Sequence, residues 1–344
     1  MDKGDSLFMA INKEIHFNSL IAKSIGYKVL EALSDSKKPK VHSVFDHAFY
    51  IQSRGKSLIS VIKNENYISP ASILIKDFGN KSFKSIGVVE GMKVKFDKRT
   101  LTLGDNIIAI KLAKTSNWTI PLSPKTPFIS PTGISLNLRV LRDIIYACPS
   151  REGLVPILEN VELYGPLKFF LQPQKPTFSE RARPYIDMLM RGLFRCDSYM
   201  IINGALSIVG LGPGLTPSCD DFLYGLILSL NVCGNTLIKD RKKQVGFYRR
   251  VSSEICRMTK GKTTIYSQSL LDQARRGEGH KSVIELIHSL ITKDPDQVAS
   301  VSKTVIEMGE TSGADIAIGI YYGIRFLVSQ MEMKSIEDLI DEIT

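Results

Sequence analysis

At 344 residues the chain is too long for one small core, and two domains are the natural expectation. Hydrophobic residues at 43% and charged residues at 23% exclude a largely disordered chain, a collagen-like fibre and a polytopic membrane protein. The 45 Lys and Arg against 35 Asp and Glu give a net charge of +10, which suits anionic partners without choosing among nucleic acid, membrane surface and small acids.

The first sixteen residues, MDKGDSLFMAINKEIH, carry charge throughout and contain no apolar core, so no secretory signal is expected. Residues 13–33 have an amphipathic pattern that predicts an opening helix. From Val41 to Trp118 the text becomes short β-rich runs punctuated by Arg54-Gly55, Phe78-Gly79-Asn80 and Gly104-Asp105-Asn106. Strands at that spacing predict a compact sheet or small barrel. Pro121, Pro124, Pro127 and Pro131 then mark a connection, since each lacks an amide donor and restricts its neighbour.

Beyond the prolines the period is helical: 135–147, 152–163, 179–195, 219–233, 242–258, 264–276, 281–291, 296–307, 313–329 and 335–343. The expected architecture is therefore α+β, with a β-rich domain over 1–125 and an α-rich domain over 132–344. The uncharged run between Asp221 and Lys239 is 17 residues long and broken by Ser229, Asn231 and Gly234. It reads as a buried core helix rather than a membrane span, which needs about 20 apolar residues. Five scattered cysteines with no C-x-x-C pair argue against a disulfide framework or a cysteine zinc site, so a cytoplasmic protein is expected.

Chemistry concentrates in Gly210-Leu-Gly-Pro-Gly-Leu-Thr-Pro-Ser-Cys-Asp-Asp221. Three alternate glycines permit close backbone approach and left-handed φ. Ser218 reads as the N-cap of the following helix, with Asp221 in the place of a capping-box acid. A glycine-rich turn feeding a helix start favours phosphate or carboxylate. It is neither a P-loop nor a dinucleotide fingerprint. Its two adjacent aspartates repel an anion. They can instead face backbone amides, hold a cation such as Mg²⁺, or accept from a substrate amide. No residue pattern supports the Mg²⁺ option, and no cofactor is expected.

A second block, Met308-Gly-Glu-Thr-Ser-Gly-Ala-Asp315, repeats the spacing Ser-x-x-Asp-x-x-x-Gly, as Ser312 to Gly319 against Ser218 to Gly225. Small residues one turn into each helix let the two approach closely, so both starts are expected to converge on one ligand. The bland alternative is two unrelated capping boxes. Lys262-Thr263-Thr264-Ile265-Tyr266-Ser267 is a weaker third block. His16, His42, His47, His280 and His288 fall outside all three, which disfavours a Ser-His-Asp hydrolase or a histidine metal site. Cys219, at a helix start, is either an activated thiol or a small residue in a glycine-like slot, the latter preferred. Residues 239–262 hold nine Lys and Arg against two acids, but no nucleic-acid recognition motif is legible, and a solvated helix face is the simpler reading.

The blocks GLGPGLTPSCDDFLYG, TTIYSQSLLDQARRGEG and GETSGADIAIG resemble the signatures of the AllH-type oxamate carbamoyltransferase subunit family. The resemblance extends to SPASILI, IGVVEGMKV and LTLGDNIIAIKLAKTSNW in the β-rich half. That family has glycine where this chain has Cys219. The resemblance implies a role in purine-degradation-type metabolism, converting oxalurate and phosphate to oxamate and carbamoyl phosphate or the reverse. It also implies separately encoded partner subunits, and no membrane. Carbamoyl transfer needs donors for the phosphate and the developing oxyanion. On that reading the catalytic candidates are Asp221, Asp315 and Thr216. The substrate-binding candidates are Gly212, Gly214, Ser218, Lys262, Thr263, Ser267, Thr311, Ser312 and Gly313. The competing expectations are a non-catalytic subunit of the same fold, binding a small anion or scaffolding partners, and thirdly a nucleic-acid-binding role.

Overall fold

The computed structural model describes residues 18–34, 38–52, 58–97, 99–112, 115–120, 128–150, 152–158, 177–238 and 241–343, the side chains of 18 and 333–343 aside. The chain folds as two compact units, Met1–Thr119 and Ile120–Thr344.

The first unit is a nine-stranded sheet: β1 (Asn18–Gly26), β2 (Lys40–Val44), β3 (Ala48–Gln52), β4 (Leu58–Ile62), β5 (Ser72–Ile75), β6 (Val94–Phe96), β7 (Thr100–Leu103), β8 (Ile108–Lys111) and β9 (Ser116–Trp118). The order is β2-β3-β4-β5-β1-β8-β7-β6, with β9 beside β1. The two ends nearly meet. Lys40 bridges Lys93, and the Val41 and Val94 amides donate to the Met92 and Pro39 carbonyls at 2.9 Å each. Closing the path in this way hides the edges that an open sheet would expose.

The opening segment corrects one expectation. Residues 18–26 are the central strand, and the helix that follows among the described residues is the short α1 (Val29–Ser34). β1 runs parallel to β8 in its first half, then pairs with β5 and β9 beyond an irregularity between Ala22 and Ser24. Leu20, Ala22 and, past the irregularity, Ile25 join the apolar core with Ser24 buried between them, whereas Ile21 is 45% exposed. The shift of the inward face between Ala22 and Ser24, together with exposed Ile21, disguises a period of two as a helical one. Gly26 cannot be replaced cheaply, because a Cβ there would lie 2.3 Å from the Ser69 and Pro70 carbonyl oxygens. Phe49 and Phe83 meet edge to face at 5.0 Å inside the sheet's apolar core.

The second unit is helical: α2 (Pro131–Tyr146), α3 (Phe178–Arg195), α4 (Ser198–Ile208), α5 (Ser218–Leu237), α6 (Lys242–Met258), α7 (Ile265–Ala274), α8 (Lys281–Thr292), α9 (Pro295–Ile306) and α10 (Ser312–Ile343). Pro131 belongs to α2 rather than to a connection: Ser130 caps the helix and proline takes its first turn, where no amide is needed. Pro121, Pro124 and Pro127 lie outside the described residues, as does Arg54-Gly55. Helix α4 is not among the expected helices. Its sequence, SYMIINGALSI, is rich in weak helix formers, yet Asp197 caps it and Gly204 lets it seat against α3 at Tyr185 and Leu189. The two helices expected over 313–329 and 335–343 are one, α10.

Helix α5 is the hub. It is buried along nearly its whole length and packs along α10. A Cβ on Gly225 would come within 2.2 Å of the Ile316 carbonyl oxygen, and one on Gly319 within 2.1 Å of that of Phe222. The two backbones therefore touch about two turns into each helix. Ser229 and Asn231, the polar breaks in the apolar run, donate back to Gly225 and Ile227 carbonyls at 2.8 Å. Among the described residues, no helix is long and apolar enough to cross a membrane.

Candidate functional site

The glycine loop wraps the start of α5. Gly210, Gly212 and Gly214 have φ of 78°, 110° and 98°, which L side chains rarely adopt. Gly212 is also sterically required, since a Cβ would lie 2.7 Å from that of Ser218. The N-cap is Pro217, not Ser218. Proline's φ suits the turn, and Ser218 moves into the first helical position, where it is fully buried and its hydroxyl acts on the Asp315 carboxyl. Asp221 is correspondingly not a capping-box acid.

Instead, Asp221 accepts from the Thr216 hydroxyl at 3.0 Å, and Thr216 Oγ1 also lies 3.2 Å from Ser312 Oγ at the start of α10. Ser312 also hydrogen-bonds Asp221, so both hydroxyls join the two helix starts. Asp220 makes the parallel arrangement on the other side. Its Oδ1 accepts the Gly210 amide at 2.8 Å and its Oδ2 accepts the Thr263 hydroxyl, while Thr263 Oγ1 itself accepts the Thr264 amide at 2.6 Å. Buried Ser267 also acts on Asp220. The third block is thereby tied to the first.

Asp315 faces a further segment. Its Oδ1 accepts the Leu154 amide at 2.6 Å, and Gly153 packs so tightly that a Cβ would lie 2.5 Å from the same oxygen. The Ser218 hydroxyl, at the start of α5, also acts on this carboxyl. Thr311 is half-buried beside it and lowers its pKa. Gly313 answers to packing, since a Cβ would strike the Val305 carbonyl oxygen at 2.0 Å. Gly214 and Lys262 are exposed, so neither belongs to the buried network.

The electrostatics are unusual for so basic a chain. Asp220, Asp221 and Asp315 are 2%, 1% and 0% exposed. Burial raises all three above the ordinary carboxylate range, with Asp221 raised furthest by direction and Asp315 pushed up to about 6. Hydroxyls and backbone amides pull each back in part, and among the described residues no lysine or arginine acts on any of them. Burial and the neighbouring Asp315 and Asp220 also raise Cys219, so its thiol stays protonated and its place is that of a small packed residue.

Several helix-start amides are already used. Cys219 N–H donates to the Leu211 carbonyl at 3.0 Å, and Asp220 and Asp221 N–H donate to that of Pro217 at 2.8 and 3.1 Å. On α10, Gly313 N–H donates to the Met308 carbonyl at 2.8 Å. Thr216, Ser312 and Thr263, whose hydroxyls turn to the buried carboxyls, are half-buried. Among the described residues, no group of three His, Cys, Asp or Glu is arranged to hold a metal ion.

His280 has its ring buried in the helical unit. It is the N-cap of α8, its amide donates to the Tyr224 hydroxyl at 3.0 Å, and burial lowers its ring to about 4. The basic stretch forms α6, whose Lys242, Lys243, Arg249 and Arg250 are exposed while Val245, Tyr248, Val251 and Ile255 pack inward. Asp220, Gly153 and Leu154 are site residues that sequence reasoning does not select. The Asp220-Asp221 doublet is a visible signal for the first; nothing local marks the other two.

Two family models match the chain. The model described as oxamate carbamoyltransferase subunit AllH matches residues 208–324, which contain all three blocks, and the AllH family N-terminal domain matches residues 21–117, the sheet. No solved structure gives a significant match. The glycine loop, the two helix starts and the sheet ahead of them thus fall within one family's description, and the chain belongs to the AllH family of oxamate carbamoyltransferase subunits.

Proposed function

We propose that the chain is a carbamoyltransferase subunit working with separately encoded partner subunits in the cytoplasm, on oxamate or oxalurate with carbamoyl phosphate or phosphate, as a step of purine degradation. The observation that carries this reading is the Thr216 hydroxyl, which lies within hydrogen-bond distance of both Asp221 and Ser312 and so gathers the two helix starts into one place.

In the forward reaction a phosphate oxygen attacks the carbamoyl carbon of oxalurate, the bond from that carbon to the oxamate nitrogen breaks, and the nitrogen takes a proton. Thr216, Ser312 and Thr263 contact the ligands, with exposed Lys262 drawing the anion in. Asp221 and Asp220 stand behind these hydroxyls and orient them, and Asp315 holds the Gly153-Leu154 segment against the start of α10. Positioning of this kind is a large part of what such a transfer requires.

Oxamate or carbamoyl phosphate is expected to raise the melting temperature of the protein by several degrees at saturating ligand. Thr216→Val combined with Ser312→Ala is expected to abolish the shift without lowering the unliganded melting temperature comparably. Ligand binding with no carbamoyl transfer in the presence of the partner subunits would leave a binding or scaffolding subunit as the surviving reading.

A further inference from the structure

The sheet unit carries most of the chain's charge. Residues 1–119 hold 19 Lys and Arg against 11 Asp and Glu, whereas residues 120–344 hold 26 against 24. The positive excess is therefore concentrated in the unit that holds none of the three buried aspartates.

Strand register shows where part of it lies. In β6, β7 and β8 the inward positions are Val94, Leu101, Leu103, Ile108 and Ile110, all in the apolar core. Alternation turns Lys95, Thr100, Thr102 and Lys111 outward. Lys95 pairs with Thr102 and Lys111 with Thr100, so the two lysines flank β7 on one face, their Cα atoms about 12 Å apart at the usual strand spacing and rise. Across the seam of the sheet, Lys40 and Lys93 are bridge partners and stand directly opposite each other. All four lysines are exposed, and among the described residues none of them has an ion-pair partner. Glu90, Asp97 and Asp105 lie in the connections between strands, where Asp97 accepts the Arg99 and Thr100 amides at 3.1 and 2.8 Å.

Like charges directly opposite weaken a sheet, and an acid at either seam position would stabilise it. Lysine on an exposed edge does discourage sheet-to-sheet aggregation, which accounts for Lys40, Lys93 and Lys95 near the two ends of the strand path. It does not account for Lys111, on interior β8 between β1 and β7. The register partner of Lys111 on β1 is Ile21, 45% exposed, so the cations border an apolar contact. Single-stranded nucleic acid fits this face poorly, because its bases stack on aromatic side chains and none stands at the outward positions of β1, β6, β7 and β8. The family description makes the chain one subunit of an enzyme, which supplies a protein partner instead.

We propose that the lysine face formed by Lys40, Lys93, Lys95 and Lys111 is the docking surface for an acidic patch on a partner subunit. This rests on the partner-subunit half of the proposed function, and adds to it the place of contact and the sign of the partner's charge. Opposite charges steer the encounter and fix its register. Screening acts over about 8 Å at physiological salt and about 30 Å at 0.01 M, so lysines at this spacing act together in dilute salt and separately in concentrated salt.

The test is the affinity of the full chain for its separately encoded subunits, measured by sedimentation at about 0.05 M and about 0.3 M salt. Three double variants are compared with wild type: Lys95→Glu with Lys111→Glu, Lys95→Gln with Lys111→Gln, and Arg249→Glu with Arg250→Glu, which makes the same charge change on α6. At the lower salt the glutamate pair on the sheet is expected to weaken binding by about a hundredfold and the glutamine pair by about tenfold, with both effects shrinking at the higher salt. The α6 pair is expected to stay within about twofold of wild type. Should the glutamates disturb the sheet, the glutamine pair carries the reading. Unchanged affinity in both lysine variants, or an equal loss in the α6 pair, overturns the docking surface alone. Random duplex DNA that binds as tightly as the subunits, with the same dependence on Lys95 and Lys111, overturns it in favour of nucleic acid. Failure of the wild-type chain to form a complex with those subunits overturns the partner half of the proposed function as well.

Discussion

The sheet unit and the helical unit bury different chemistry. Inside the sheet the buried polar residues are Ser24, Ser69 and Ser72, and each is satisfied locally: Ser24 donates to the Ser116 carbonyl at 2.9 Å, and Ser72 pairs with Ser60 and Ser69 at 2.8 Å. The helical unit buries three aspartates at one place, where hydroxyls and backbone amides act on them. A core that only has to be stable avoids such groups, because an uncompensated buried carboxyl costs free energy. Under the proposed function, that cost falls at the helix starts that would hold the ligands.

The comparison is broken most forcefully at the contact between α5 and α10. Gly319→Ala places a Cβ on the Phe222 carbonyl oxygen, and rigid helix backbones cannot both yield. A loss of about 4 kcal/mol or more is expected. In urea unfolding followed by circular dichroism, the helical transition should collapse while the sheet transition survives. Equal loss of both would show that the units do not unfold separately.

Phe49→Ala tests the other side. It empties an edge-to-face pair with Phe83 in the sheet core and is expected to cost about 3–5 kcal/mol of sheet stability. Oxamate should still raise the helical transition of that variant by the wild-type amount. Loss of the ligand-induced shift would mean that the sheet takes part in binding.

Asp315→Asn gives the smallest effect and sharpens the electrostatic half. Because burial holds the folded carboxyl near 6, above its unfolded value, the proton is bound more tightly in the folded state. Its contribution to stability is therefore full in acid, below the unfolded value, and is lost as pH rises through about 6. Asparagine cannot titrate but can still accept the Leu154 amide. The melting temperature of the variant relative to wild type should rise by a few degrees from about pH 4 to about pH 7. A difference that does not change with pH would place the Asp315 proton elsewhere.

Much of this is visible in the chain itself. Alternating glycines, hydroxyls and acids at helix starts are local patterns, and they mark Thr216, Asp221 and Ser312 without any knowledge of the fold. The strands from β2 onward are legible as β-branched runs cut by turns, and the helices from α5 to α9 as apolar periods of helical spacing. Spacing also pairs Gly225 with Gly319, which the backbone contact between α5 and α10 explains.

Other features are decided only by tertiary structure. β1 is a strand because β5, β8 and β9 supply its partners, while its own residues carry a helical disguise. α4 forms because α3 offers a surface for Gly204 and Ile201. The links from Asp220 to Thr263, from Thr216 to Ser312 and from Leu154 to Asp315 span 43, 96 and 161 positions. Local preferences specify the groups at each helix start, because capping and periodicity act over a few residues. Which of those groups meet, and whether a carboxyl there is solvated or buried, depends on contacts that no stretch of sequence contains.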